Sequence, residues 1–178
     1  KNDDLKNSIA EYTNSQNAIS DIDLKSIDSI QIQIETYLSS FGILYARKAG
    51  DVGLDDNNYL SRMPMEKMAQ LLYSAMGNPD RASNQKRRLF QEYYNEIFKS
   101  DSFSLEKCKL TVDLYVIIQN TYKSTQYKVT EQKIFYVLYI SEFCKYDISA
   151  AINKLEEILA AYPEDLTDSR KLIQKGFK

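Results

Sequence analysis

The most overt chemistry in this chain belongs to Asp113, Glu131 and Lys133. Two carboxylates can hold Mg²⁺ while a lysine steadies the attacking water, the working set of a metal-dependent nuclease. Such sets normally stand on strands. Here Glu131 follows Thr130 as the first-turn acid of a predicted helix, and Asp113 falls inside another. Helix capping and surface charge are therefore the expected roles, and no metal site is expected. A second group, Arg81 with Lys86, Arg87 and Arg88, lies beside Phe90, Tyr93 and Tyr94. Those cations could neutralise phosphates while the rings stack on bases. A core-facing helix with bases outward and rings inward shows the same pattern, so nucleic acid is a candidate partner and no more. Arg47 and Lys48 end a segment that could be a strand and precede a long loop; they would either contact an anion or face water. In Asn14-Ser15-Gln16-Asn17, the amides of Asn14, Gln16 and Asn17 can cap backbone groups or offer paired donors and acceptors to a ligand.

The missing residue types exclude more than the present ones suggest. The chain has no histidine, which removes serine and cysteine triads with a histidine base, histidine metal sites and histidine-dependent ribonucleases. Its five glycines are too dispersed for a phosphate-cradling loop or a dinucleotide-binding turn, so no cofactor is expected. A net charge of -2 gives no global attraction to nucleic acid or an anionic membrane, and any such contact has to be local. No apolar run is long enough to span a bilayer and no basic-then-apolar leader is visible. Cys108 and Cys144 are too few for a disulfide framework, which fits a reducing compartment; the expected location is cytoplasmic. The first residue is Lys1, and helix-forming sequence begins at once, so the expectation is a piece of a longer polypeptide whose upstream part is its partner.

The elements that must position these residues are helices. Leu5, Ile9 and Tyr12 predict a short first helix, and Ile27, Ile30, Ile34, Leu38 and Phe41 predict a second, starting after Ser26 or Asp28 and stopping at Gly42. Residues 43–46 could be a strand, and 48–62 read as a Gly/Asp/Asn-rich loop. Pro64 suits a first helical turn, and the stripe Met65, Met68, Leu72, Ala75 and Met76 ends before Gly77. Residues 82–98 predict one broken helix or two short ones. Three more follow at 104–122, 130–143 and 148–162. The runs 114–118 and 134–140 are apolar all round, which predicts two central helices, while Ile148, Ile152, Leu155, Leu159 and Tyr162 make a one-sided outer stripe. The fold class is mainly α, a multi-helix, bundle-like domain with at most one or two short strands.

Several segments, taken in order, resemble the abortive-infection phage-resistance family of bacterial proteins, abbreviated AIPR. They are Ile9-Ala10-Glu11-Tyr12-Thr13 running into Asn14-Ser15-Gln16-Asn17, Asp23-Leu24-Lys25-Ser26, Tyr45-Ala46-Arg47-Lys48-Ala49-Gly50, Met68-Ala69-Gln70-Leu71-Leu72, Asn78-Pro79-Asp80-Arg81-Ala82-Ser83 and Tyr94-Asn95-Glu96-Ile97-Phe98. The resemblance implies that residues 1–125 are the carboxyl-terminal part of the family domain, with 126–178 a helical extension packed on it in one globular unit. It further implies a helical recognition or assembly module of a defence protein, without its own active site and able to form a homo-oligomer. The alternative is part of a nuclease or nucleic-acid-processing enzyme whose active site is completed upstream.

Overall fold

A computed structural model describes residues 20–48 and 59–161. The expected helix around Leu5, the Asn14 to Asn17 corner, Tyr162 and the tail lie outside the described residues. The first described helix, α1 (Asp21–Ser26), is set by a reciprocal cap. Ser20 Oγ accepts from the Asp23 amide, and the Asp23 carboxylate accepts from the Ser20 amide. Helix α2 (Ser29–Ser39) is capped by Asp28, which accepts from the Ile30 amide. That cap shifts the expected stripe. Ile27 falls in the turn between the two helices and is exposed, and the buried face of α2 is Gln31, Ile34 and Leu38.

Strand β1 (Ile43–Ala46) pairs in parallel with β2 (Ser61–Pro64), Ile43 opposite Ser61 and Ala46 opposite Pro64. The end of the expected loop at 48–62 is therefore strand. Only Met63 of β2 is buried, so four residues carried too little alternation to reveal it. Pro64 ends β2 and caps α3 (Met65–Ala75) at its N-terminus. Gly77 ends α3 at φ 92°, donating to the Ser74 carbonyl while Asn78 donates to that of Tyr73. Residues 82–98 form the end of α4 (Pro79–Asn84), a 3₁₀ turn (Lys86–Phe90) and α5 (Tyr94–Phe98). Helices α6 (Leu105–Lys123), α7 (Glu131–Phe143) and α8 (Ile148–Ala161) complete the described chain, the first two capped by Ser104 and Thr130.

The architecture is mainly α with one small parallel sheet. Helix α3 is buried on nearly every side, packed against α4, α6 and α7, and α7 packs in turn on α8. The expectation of two central helices is corrected in part. Helix α7 is central, but α6 exposes Val116 and Ile117, because a run of five residues exceeds one turn and must face both ways. The second centre is α3, whose Gln70 and Ser74 are buried because Gln70 Nε2 donates to the Ala82 carbonyl and Ser74 Oγ to that of Gln70.

Two polar networks cross the core. Tyr45 Oη donates to Gln31 Oε1 at 2.6 Å, and Gln31 Nε2 donates to Tyr94 Oη at 3.2 Å, all three residues buried. Lys133 Nζ pairs with both oxygens of the buried Glu156 at 2.6 and 2.9 Å, and Tyr122 Oη donates to the same carboxylate. Cys108 is fully buried, and burial pushes its thiol up to about 12, so it is unreactive at neutral pH.

Candidate anion-binding cleft

The parallel sheet decides which charges meet. Because β1 and β2 run the same way, both deliver their following residues to one end: Arg47 and Lys48 after β1, and the first turn of α3 after β2. The 3₁₀ turn adds Lys86 to that end, and the start of α7 adds Glu131. Together with Arg62 of β2 they line a cleft of about 420 Å³, in which Arg47, Lys48, Arg62, Lys67 and Lys86 outnumber Glu66 and Glu131. Pro64 offers no side-chain cap to the first turn of α3, whose amide dipoles add to the positive potential there while Glu66 in the same turn offsets part of it.

Most of these cations have local counter-charges. Arg47 lies 3.0 Å from Glu35 and donates through Nη1 to the Ser26 carbonyl at 2.5 Å, which fixes it between α1 and α2. Lys67 meets Glu131 at 2.6 Å and lies over the Phe135 ring, and Lys86 meets Glu66 at 3.0 Å. Arg62 is exposed and forms no ion pair among the described residues. The Lys86 pair is about half exposed on both sides, and a pair this wet contributes only about 0–1 kcal/mol, so an arriving anion can take Lys86 from Glu66 at little cost. Lys67 is only 15% exposed and stays the more firmly paired of the two, against a Glu131 that is 62% exposed.

The sequence candidates divide accordingly. Arg47, Lys48 and Lys86 come together in the cleft, although they stand far apart in the chain. The basic group at 81–88 is divided among separate partners. Arg87 lies 4.0 Å from Asp21, and Arg88 pairs with Glu92 one turn on. Arg81 reaches the Tyr73 hydroxyl and lies over the Tyr93 ring, which itself stacks on Tyr73. Phe90 and Tyr94 are buried, so they offer no face for a base. The nuclease-like set is likewise dispersed among different partners. Asp113 pairs with Lys109, Glu131 with Lys67, and Lys133 with Glu156. Among the described residues no group of three or more potential ligands could hold a metal ion. Asn14, Gln16 and Asn17 lie outside the described residues. Arg62 and Lys67 were missed by sequence reasoning. Their one signal was position at either side of Pro64, which has meaning only once β2 is known to lie beside β1.

Fold and cleft thus define a mainly helical protein that concentrates positive charge at one end of a small parallel sheet. This chain belongs to the AIPR protein family, a family of phage-defence proteins, whose model matches residues 1–174. The match runs well past the first 120 or so residues that carry the quoted motifs, and includes α7 and α8. Comparison with curated proteins and with solved structures gives no match. Among the described residues no helix is long and apolar enough to cross a membrane.

Proposed function

We propose that this chain serves phage defence as a recognition module, and that its working surface is the cleft at the ends of β1 and β2, which takes hold of the phosphate backbone of a nucleic acid. One observation carries the reading: Arg47, Lys48, Arg62, Lys67 and Lys86, drawn from four separate segments, line a single cleft in a chain whose net charge is -2. A nearly neutral protein gains nothing from bulk attraction, so a local concentration of cations is what a polyanion would find. The module works together with the rest of its polypeptide, or with further copies of itself, in the bacterial cytoplasm. The buried thiol of Cys108 suits that compartment.

Binding of single-stranded and duplex oligonucleotides, measured against salt concentration, tests the reading. Phosphate neutralisation predicts affinity that falls steeply with salt, with the slope reduced by about one unit for each lost contact. Arg62→Gln and Lys86→Gln should each reduce that slope, whereas Arg87→Gln and Arg88→Gln, which lie outside the cleft, should leave it unchanged. Equal binding by wild type and an Arg62→Gln/Lys86→Gln double variant would remove the cleft from consideration.

A further inference from the structure

We propose that a second cavity, walled by α3, α5, α6 and α7, is a binding site for a small zwitterion with a large apolar side chain, a free amino acid of the leucine or phenylalanine kind. The cavity has a volume of about 180 Å³, and its walls include the buried side chains of Leu72, Ile97, Leu114 and Leu138. Packed interiors hold few voids larger than a water molecule, and each such void forfeits dispersion contacts of the atoms around it. An apolar cavity of about 150 Å³ in another protein takes up benzene, so this volume suits one ring or one branched side chain.

The head group follows from the charges at the mouth. Lys107, in the first turn of α6, and Glu142, near the end of α7, both line the cavity. Lys107 Nζ donates to the Ser102 carbonyl, and the Glu142 carboxylate has no hydrogen bond or ion pair among the described residues. A hydrocarbon would use neither charge. A simple anion would meet Glu142, and a simple cation would meet Lys107. A ligand with an ammonium and a carboxylate on one carbon satisfies both while its side chain enters the apolar part.

The backbone at the mouth supports this independently. Lys145 and Tyr146 hold φ values of 52° and 62°, a left-handed conformation that side chains other than glycine or asparagine adopt under strain. The turn is closed by Tyr146 N–H donating to the Ser141 carbonyl at 2.7 Å and Lys145 N–H to that of Glu142 at 3.2 Å. Glycine would close the same turn without strain but would leave no ring at the mouth, where Tyr146 is half exposed. Tyr146 lines the mouth, and a phenol ring there can cover a bound side chain and attract an ammonium.

Titration calorimetry of the full chain with L-leucine and L-phenylalanine, with glycine and toluene as comparators, decides the matter, and its outcome is independent of the cleft. Both apolar amino acids should bind saturably, glycine should not, and toluene should bind at least about tenfold more weakly. Ala75→Leu, which fills the cavity from α3, should abolish binding. Glu142→Gln and Lys107→Gln, both at exposed positions, should each weaken it about tenfold while the melting temperature stays put. No saturable binding of either amino acid, or toluene binding as tightly as they do, would overturn the assignment. So would unchanged affinity in both exposed variants, a readout that survives even if Ala75→Leu fails to fold.

Discussion

Replacing Gln31 by leucine tests whether the buried Tyr45–Gln31–Tyr94 chain is a unit or two unrelated contacts. The substitution keeps the volume and removes an amide that accepts from Tyr45 and donates to Tyr94. Each such bond contributes about 1 kcal/mol net, and an orphaned buried hydroxyl costs about 1–3 kcal/mol more. The two tyrosines are not equally exposed to that penalty. Tyr94 has the Asp28 carboxylate nearby to interact with; Tyr45 is fully buried, and among the described residues Gln31 is the only hydrogen-bond partner of its hydroxyl. Gln31→Leu should therefore destabilise by about 2–3 kcal/mol, most of it from Tyr45. Tyr45→Phe alone should cost about 1–2 kcal/mol, because it strands Gln31 Oε1. Removing both partners of a buried bond is far less costly than removing one, so the double variant should be more stable than the sum of the singles implies, by at least about 1 kcal/mol. Urea titration of the four proteins gives the coupling directly, provided the denaturant slope stays constant. Strict additivity within about 0.3 kcal/mol would refute the network, since contacts that share no partner add.

Removal of Lys133 should be more damaging than removal of any cleft lysine. Glu156 would remain buried with only the Tyr122 hydroxyl, at a cost of about 3–5 kcal/mol in urea titrations of Lys133→Met. Lys145→Gly should instead stabilise by about 0.5–1 kcal/mol, the relief of left-handed strain less the added freedom of the unfolded chain, and a lowered melting point would show that the strain is misplaced. The Asp28 carboxyl is held below its ordinary range, first by its bond to Lys99. A depressed folded value contributes stability above the ordinary carboxylate range that is lost as pH falls through the folded value. The urea midpoint of wild type should therefore drop more between pH 5 and about 3 than that of Lys99→Ala; parallel profiles would exclude the pair. Arg81→Ala should lower the melting temperature through loss of the Tyr73 and Tyr93 contacts, while Arg88→Ala should be silent in the same thermal melt.

What depends on neighbours in the chain was legible without coordinates. The helix starts at Ser104 and Thr130, the stop at Gly77, the stripe of α8 and the buried run of α7 all follow from side chains within a turn of one another, whereas the pattern narrows the start of α2 only to Ser26 or Asp28. The absence of histidine and of any glycine-rich phosphate loop likewise needed no fold. What depends on pairing across the chain was not legible. Strand β2 has a single buried residue, so its register against β1 comes from the partner strand and not from its own pattern. That pairing brings Arg62 and Lys67 beside Arg47, Lys48 and Lys86. Tertiary structure also scattered what proximity in the sequence suggested was one patch, since the 3₁₀ turn points Lys86 toward the cleft while Arg81 packs on tyrosines and Arg87 and Arg88 find carboxylates elsewhere. Helix periodicity reports which face of a segment is apolar; which charges converge is set by where the chain returns, and that is fixed by the packing of the whole core.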